Sequence, residues 1–157
     1  MTMNPTPPLL TRRRLVLAST SLSALTLMHP ALANTDELAQ AVSAYAAGKK
    51  VTEGKVKLDI AELVDNGNVV PITVSVSSPM TAANHVKAIA VFNEKNPQRE
   101  TVKFDLGPRY GKAEVSTRIR LATTQKLVAV AHLSDGTFWS HTVEVIVTLA
   151  ACIEGEA

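Results

Sequence analysis

The stretch Lys126-Leu127-Val128-Ala129-Val130-Ala131-His132-Leu133-Ser134-Asp135-Gly136-Thr137-Phe138-Trp139-Ser140-His141-Thr142-Val143-Glu144-Val145-Ile146-Val147-Thr148-Leu149 decides the fold. Lys126 to His132 is a short, nearly continuous apolar run. After Thr137 the pattern alternates: Val143, Val145, Val147 and Leu149 are interleaved with Thr142, Glu144, Ile146 and Thr148. A period of two places alternate side chains on opposite faces of a strand. Ser134-Asp135-Gly136 separates two strong strand patterns and reads as the turn of a hairpin.

Upstream the same signals repeat. Val70-Pro71-Ile72-Thr73-Val74-Ser75-Val76-Ser77 alternates apolar with small polar residues, and Pro71 points to an edge position or to the beginning of a strand. Val115, Thr117, Ile119 and Leu121 face one way while Glu114, Ser116, Arg118 and Arg120 face the other. Turn markers lie between these segments: Asn66-Gly67, Ser78-Pro79, Asn96-Pro97 and Gly107-Pro108. The predicted strands are seven, at 56–60, 69–76, 85–92, 101–104, 113–120, 126–133 and 137–149. Short strands separated by turns, with no helices between them, predict an all-β fold: an antiparallel sandwich of immunoglobulin-like type. A short helix precedes them. Thr35 is its expected N-cap, Asp36 and Glu37 suit its first turn, Leu38, Val42 and Tyr45 share one face, and Gly48 stops it.

The N-terminal segment is of another kind. Thr11-Arg12-Arg13-Arg14-Leu15-Val16 matches a twin-arginine pattern, a mildly apolar run follows to Met28, and Ala31-Leu32-Ala33 is a small-residue cleavage site. Residues 1–33 therefore read as an export signal, with an ordinary secretory signal as the alternative, and the expected destination is a bacterial periplasm. The run is too short and too polar to span a bilayer, and no membrane association is expected. Sixteen Lys and Arg stand against 14 Asp and Glu, but Arg12, Arg13 and Arg14 belong to the signal. The mature chain is close to neutral, which argues against nucleic acid as a partner.

The mature chain offers His85, His132, His141, Met80 and Cys152 as potential metal ligands. A blue-copper site needs histidine and methionine shortly after the cysteine; here Cys152 is followed by Ile153-Glu154-Gly155-Glu156-Ala157. Zinc-type spacing is lacking too, so neither metal nor cofactor is expected. Ser134, Asp135 and His141 have the residue types of a triad but lie on and beside a predicted turn, without a nucleophile elbow. No catalytic residue is assigned, and the chain is expected not to be an enzyme. Phe92, Phe138 and Trp139 read as core aromatics.

Cys152 is the chain's single cysteine, and it lies beyond the last predicted strand. An exported protein usually pairs its thiols, and this one has no partner within its own sequence. Three readings stay open: a buried small hydrophobe, an intermolecular disulfide, or a covalent attachment point on an accessible arm. The domain plan is thus signal 1–33, folded body 34–149 and arm 150–157.

Several segments resemble the SoxY family, the sulfur-carrier subunits of the periplasmic thiosulfate-oxidising system. They are Asn66-Gly67-Asn68-Val69-Val70-Pro71-Ile72-Thr73-Val74-Ser75-Val76, Phe92-Asn93-Glu94-Lys95-Asn96-Pro97, Glu114-Val115-Ser116-Thr117-Arg118-Ile119-Arg120-Leu121 and Val128-Ala129-Val130-Ala131-His132-Leu133-Ser134-Asp135-Gly136. The resemblance implies an immunoglobulin-like fold and a heterodimer with a SoxZ-like subunit. Transient partners would be a c-type cytochrome complex, a dimanganese sulfate-releasing hydrolase and a sulfane dehydrogenase. It also implies that Cys152 is the substrate attachment residue. The family's arm is normally Gly-Gly-Cys-Gly, whereas this one reads Ala150-Ala151-Cys152-Ile153. Alanine loses glycine's left-handed freedom, Ile153 adds bulk beside the sulfur, and Glu154 and Glu156 set negative charge nearby, which works against ionisation. The alternative is a module of the same fold that has lost carrier activity and uses Cys152 to link subunits.

Overall fold

Nine strands and one α-helix are laid out over residues 36–149, the part of the chain that the computed structural model describes. The signal expected at 1–33 and the arm at 150–157, Cys152 included, lie outside the described residues. The helix α1 spans Glu37–Tyr45, and the strands are β1 Val51–Glu53, β2 Val56–Asp59, β3 Leu63–Val64, β4 Val70–Val76, β5 Val86–Asn93, β6 Glu100–Asp105, β7 Glu114–Ile119, β8 Gln125–Leu133 and β9 Phe138–Val147.

The stretch at 126–149 is the expected hairpin: β8 and β9 pair antiparallel from Gln125↔Val145 to His132↔Phe138. They lie inside the larger sheet, of order β1-β9-β8-β5-β6, and a smaller sheet, β2-β4-β7, packs across from it. All seven predicted strands are present, with bounds shifted by a residue or two. The other two, β1 and β3, are additions. Both pair in parallel with β9, β1 at Phe138–Ser140 and β3 at Ile146–Val147, so the sandwich carries two short parallel pairings on its antiparallel frame. Strands of three and two residues are too short to display a period, and their pairing is non-local. Pro71 is the second residue of β4, in the centre of its sheet, at a point where β2 no longer pairs (its last rung is Asp59↔Thr73). The missing N–H therefore costs no rung with β2.

Alternation builds the core. Val70, Ile72, Val74 and Val76 of β4 face Ile89, Val91, Leu127, Ala129, Ala131, Val145 and Val147 of the larger sheet, all buried. The opposite face of the larger sheet is apolar at Ala90, Phe92, Val128, Val130 and Phe138, and α1 covers it there with Leu38, Ala41, Val42 and Tyr45. Phe92 and Phe138 are core aromatics as expected, but of this second layer; Trp139 is partly buried against the inter-sheet core. The helix is capped by Asp36 rather than Thr35: its Oδ1 accepts from Leu38 N at 3.1 Å and Ala39 N at 3.4 Å. At the other end Gly48 N donates to Ser43 O at 2.9 Å and Ala47 N to Ala44 O at 3.0 Å, a Schellman closure. Arg99 ties the helix to the β5–β6 loop by binding the Glu37 carboxylate.

The chain passes from β1 in one sheet to β2 in the other within two residues. Gly54 (φ 115°) and Lys55 (φ 55°) both take positive φ there. A side chain at Gly54 would be strained by that φ, and Trp139 lies within 3.6 Å of the place its Cβ would take.

Candidate functional site

The root of the C-terminal arm is held by backbone hydrogen bonds. Past the end of β9, Thr148 N donates to Val64 O at 3.0 Å and Leu149 N to Asp65 O at 3.2 Å, while Gly67 N donates to Leu149 O at 3.0 Å. Both backbone polar groups of Leu149 are therefore engaged. Thr148 Oγ1 adds a bond to Asp65 O at 3.2 Å. The Asn66-Gly67 turn, read from sequence only as punctuation, is thus the bracket that fixes the last described residue.

The bracket is itself secured. Gly67 O accepts from Leu121 N at 2.8 Å, and Thr124 Oγ1 accepts from Val147 N at 3.0 Å. The loop between Leu121 and Thr124 is in turn set by a polar network. Asn96 Oδ1 accepts from Ala122 N at 3.0 Å and from Gln125 Nε2 at 2.9 Å, and Asn96 Nδ2 donates to Arg120 O at 2.8 Å. Lys95 N donates to Gln125 Oε1 at 2.9 Å. Asn93, fully buried, sits beneath: its Oδ1 accepts from Asn96 N at 2.8 Å and its Nδ2 is 2.6 Å from Gln98 O, 3.0 Å from Arg99 O and 2.9 Å from Thr101 Oγ1. Sequence reading passed over Asn93 and Gln125. Asn93 is signalled by the Asn-x-x-Asn-Pro spacing, in which the first amide can hold the loop that the second begins, whereas Gln125 reaches Asn96 across the fold and has no local signal.

The other candidates do not converge. His85 Nδ1 lies 3.2 Å from Thr81 O, and His141 Nδ1 accepts from Leu58 N at 3.1 Å, which joins the two sheets. His132 stacks on Phe138 at 4.5 Å between ring centroids. Ser134 Oγ accepts from His85 N at 3.0 Å and donates to Ala83 O, and Asp135 Oδ1 accepts from Thr137 N at 2.9 Å and Thr137 Oγ1 at 2.7 Å. Each member of the sequence-level triad is therefore occupied in holding a turn or a sheet contact. Among the described residues no three His, Cys, Asp or Glu side chains gather.

His132 carries a pH signature. Partial burial holds its pKa below the ordinary 6.5, helped by Lys87 and Lys49 and opposed by Asp135. The unfolded chain takes up the proton first as pH falls, so this contribution to stability is present above about pH 6.5 and is lost on acidification. Melting temperatures between about pH 7.5 and about pH 5 are expected to fall less in His132→Gln than in the wild type. Equal slopes would exclude the assignment.

The family model of the sulfur oxidation protein SoxY matches residues 42–152. The sulfur carrier protein SoxY from Chlorobium limicola f thiosulfatophilum is similar in structure, with a TM-score of 0.60 and 32% identity over 71% of this chain and 96% of that one. A superoxide reductase (neelaredoxin) from Ignicoccus hospitalis (TM-score 0.54, 21% identity, 60% of this chain and 80% of that) shares the fold alone. So does a putative superoxide reductase from Thermotoga maritima (TM-score 0.52, 20% identity, 62% and 87%). A comparison with curated proteins finds no match. A match running through 42–152, the strand frame shared with a solved SoxY, and the sole thiol at the last matched position lead to one assignment: the chain belongs to the SoxY family of sulfur oxidation proteins.

Proposed function

We propose that this protein is a sulfur carrier of the Sox system that holds its cargo covalently on Cys152 while other proteins act on it. The observation that carries the reading is the family match, which ends on Cys152, the chain's single cysteine. The fixed root supports it. Leu149 is bonded on both sides, so two residues, Ala150 and Ala151, separate a rigid origin from Cys152, a reach of ~10 Å when extended. Such an arm enters a cleft without wandering.

In this scheme the thiol joins the outer sulfur of thiosulfate. One S–S bond forms, the thiol proton is released, and two electrons pass to a c-type cytochrome complex, leaving a cysteine S-thiosulfonate. A dimanganese hydrolase adds water across the terminal S–S bond, releasing sulfate and two protons and leaving a persulfide anion. A sulfane dehydrogenase would oxidise the remaining outer sulfur to a sulfonate with oxygen from water, its electrons passing to a cytochrome acceptor. The body contributes no group to these steps; it positions the arm beside a SoxZ-like subunit. Export by the twin-arginine route to the periplasm belongs to the same proposal, since it delivers the folded pair to where these enzymes would act.

Intact mass of the mature protein, with its SoxZ-like subunit, after exposure to thiosulfate and the cytochrome complex tests the reading. A thiosulfate adduct is expected on the wild type and none on Cys152→Ser. No adduct on either, together with a covalent dimer that disappears in Cys152→Ser, would instead assign Cys152 to subunit linkage.

A further inference from the structure

Strand β7, Glu114–Ile119, ends the smaller sheet β2-β4-β7, and its outer edge pairs with no strand among the described residues. The ladder with β4 tells which groups line that edge. Val76 N donates to Ala113 O at 2.8 Å, and the register then runs unbroken from Ser75↔Glu114 to Val70↔Ile119. Bonded rungs alternate in an antiparallel pair, so they fall at Val115, Thr117 and Ile119. Glu114, Ser116 and Arg118 lie between them and turn both N–H and C=O outward. No backbone partner among the described residues takes these six groups. The side chains of the same three residues are exposed, and neither Glu114 nor Arg118 forms an ion pair among the described residues.

The other sheet edges are guarded. Strand β1 is three residues long, and Leu58 N on the outer side of β2 donates to His141 Nδ1 at 3.1 Å. Strand β6 carries Lys103 near its middle and a register shift in its ladder with β5. Such devices keep sheets from pairing edge to edge. Strand β7 has none of them: six residues without lysine, proline, glycine or bulge. An open edge of that kind is a template for another strand.

We infer that β7 pairs antiparallel with β7 of a second copy of this chain, about a two-fold axis between the two Ser116 residues. Its own sequence is the argument. In that register Glu114 stands opposite Arg118 of the second copy, and Arg118 opposite its Glu114. Opposed Cβ atoms lie about 5 Å apart, so two pairs of opposite charge meet across the seam. The residues that meet are those whose backbone groups point outward, and each of the three rungs closes two N–H···O bonds. Val115, half-buried against the inter-sheet core, comes to lie beside Thr117 of the second copy. A shift of two residues one way sets Lys112 against Arg118. The opposite shift calls on Arg120 O, which already accepts from Asn96 Nδ2 at 2.8 Å. The product is a single six-stranded sheet whose two outer edges are both β2, so assembly stops at two copies.

The inference stands on the fold and not on the carrier reading. Mature protein with Cys152→Ser, in which no disulfide can join two chains, is purified with its SoxZ-like subunit and followed by sedimentation velocity from about 1 to about 100 μM. The mass is expected to double across that range. Arg118→Glu and Glu114→Arg each set like charges opposite one another and are expected to weaken the self-association about tenfold or more. Combining the two is expected to restore it to within about threefold. Both positions are exposed, and melting temperatures check the fold of each variant. Absence of doubling at about 100 μM overturns the inference, as does doubling that the single variants leave untouched or a combined variant that stays apart. Loss of the co-purified subunit from the single variants also overturns it, and would assign this edge to the permanent interface.

Discussion

Asn93→Asp is expected to destabilise the protein by about 3–5 kcal/mol at neutral pH, enough to leave a single domain largely unfolded. The side chain is fully buried, and its amide nitrogen faces three acceptors, Gln98 O at 2.6 Å, Arg99 O at 3.0 Å and Thr101 Oγ1 at 2.9 Å. A carboxylate has the same shape but turns the side-chain donor toward those oxygens into an acceptor, and it buries a charge with no cation bonded to it. Asn93→Leu removes the donor without adding charge. Arg99 O would keep its bond from Asn93 N at 2.9 Å, so a loss of about 2–3 kcal/mol is expected there. The two variants also differ in pH dependence. The buried carboxyl binds its proton more tightly folded than unfolded, so Asn93→Asp regains stability as pH falls, whereas Asn93→Leu does not. Urea midpoints at about pH 8 and about pH 5 separate them. A loss under about 1 kcal/mol in Asn93→Asp would mean that the network does not hold this end of the sandwich.

How much of this was legible beforehand depends on the range of each interaction. The β8–β9 hairpin, β4 and β7 were readable because their two-residue period is local and strong, and β5 and β8 because continuous apolar runs accompany burial on both faces. The short parallel strands β1 and β3 were not, since what makes them strands is an edge of β9 about 85 residues away, and two or three residues carry no pattern. The helix was placed correctly but its cap slipped by one residue, because Thr35 and Asp36 are both good caps and only the entry path of the chain chooses. At the candidate site the sequence displayed the thiol and concealed its mounting. Asn66-Gly67 is a turn marker on any chain; that its glycine N–H grips Leu149 follows from β3 and β9 lying side by side. His141 was weighed as a metal ligand or triad member, and it proved to accept a bond from Leu58 N across the sandwich, a role that no spacing rule encodes.

The fixed root makes arm length the most sensitive variable in the proposed chemistry. Deleting Ala150 and Ala151 would place Cys152 directly after Leu149, whose N–H and C=O are already bonded to Asp65 and Gly67. The reach from the body falls from ~10 Å to ~3.5 Å, less than the thickness of a single side-chain layer at a protein surface. Small reagents need no cleft, so iodoacetamide is expected to alkylate the shortened chain within about threefold of the wild-type rate. Enzymatic loading with thiosulfate is expected to fall by about 10²-fold or more, because displacements of even 1 Å at a reacting atom cost that much. Replacing the same two alanines by glycines keeps the reach and adds backbone freedom, and it is expected to load at least as fast as the wild type. The pair of variants thus divides length from flexibility. Undiminished loading of the deletion would show that the arm does not pivot at Leu149, and that the bonds from Asp65 and Gly67 give way when a partner pulls the thiol outward.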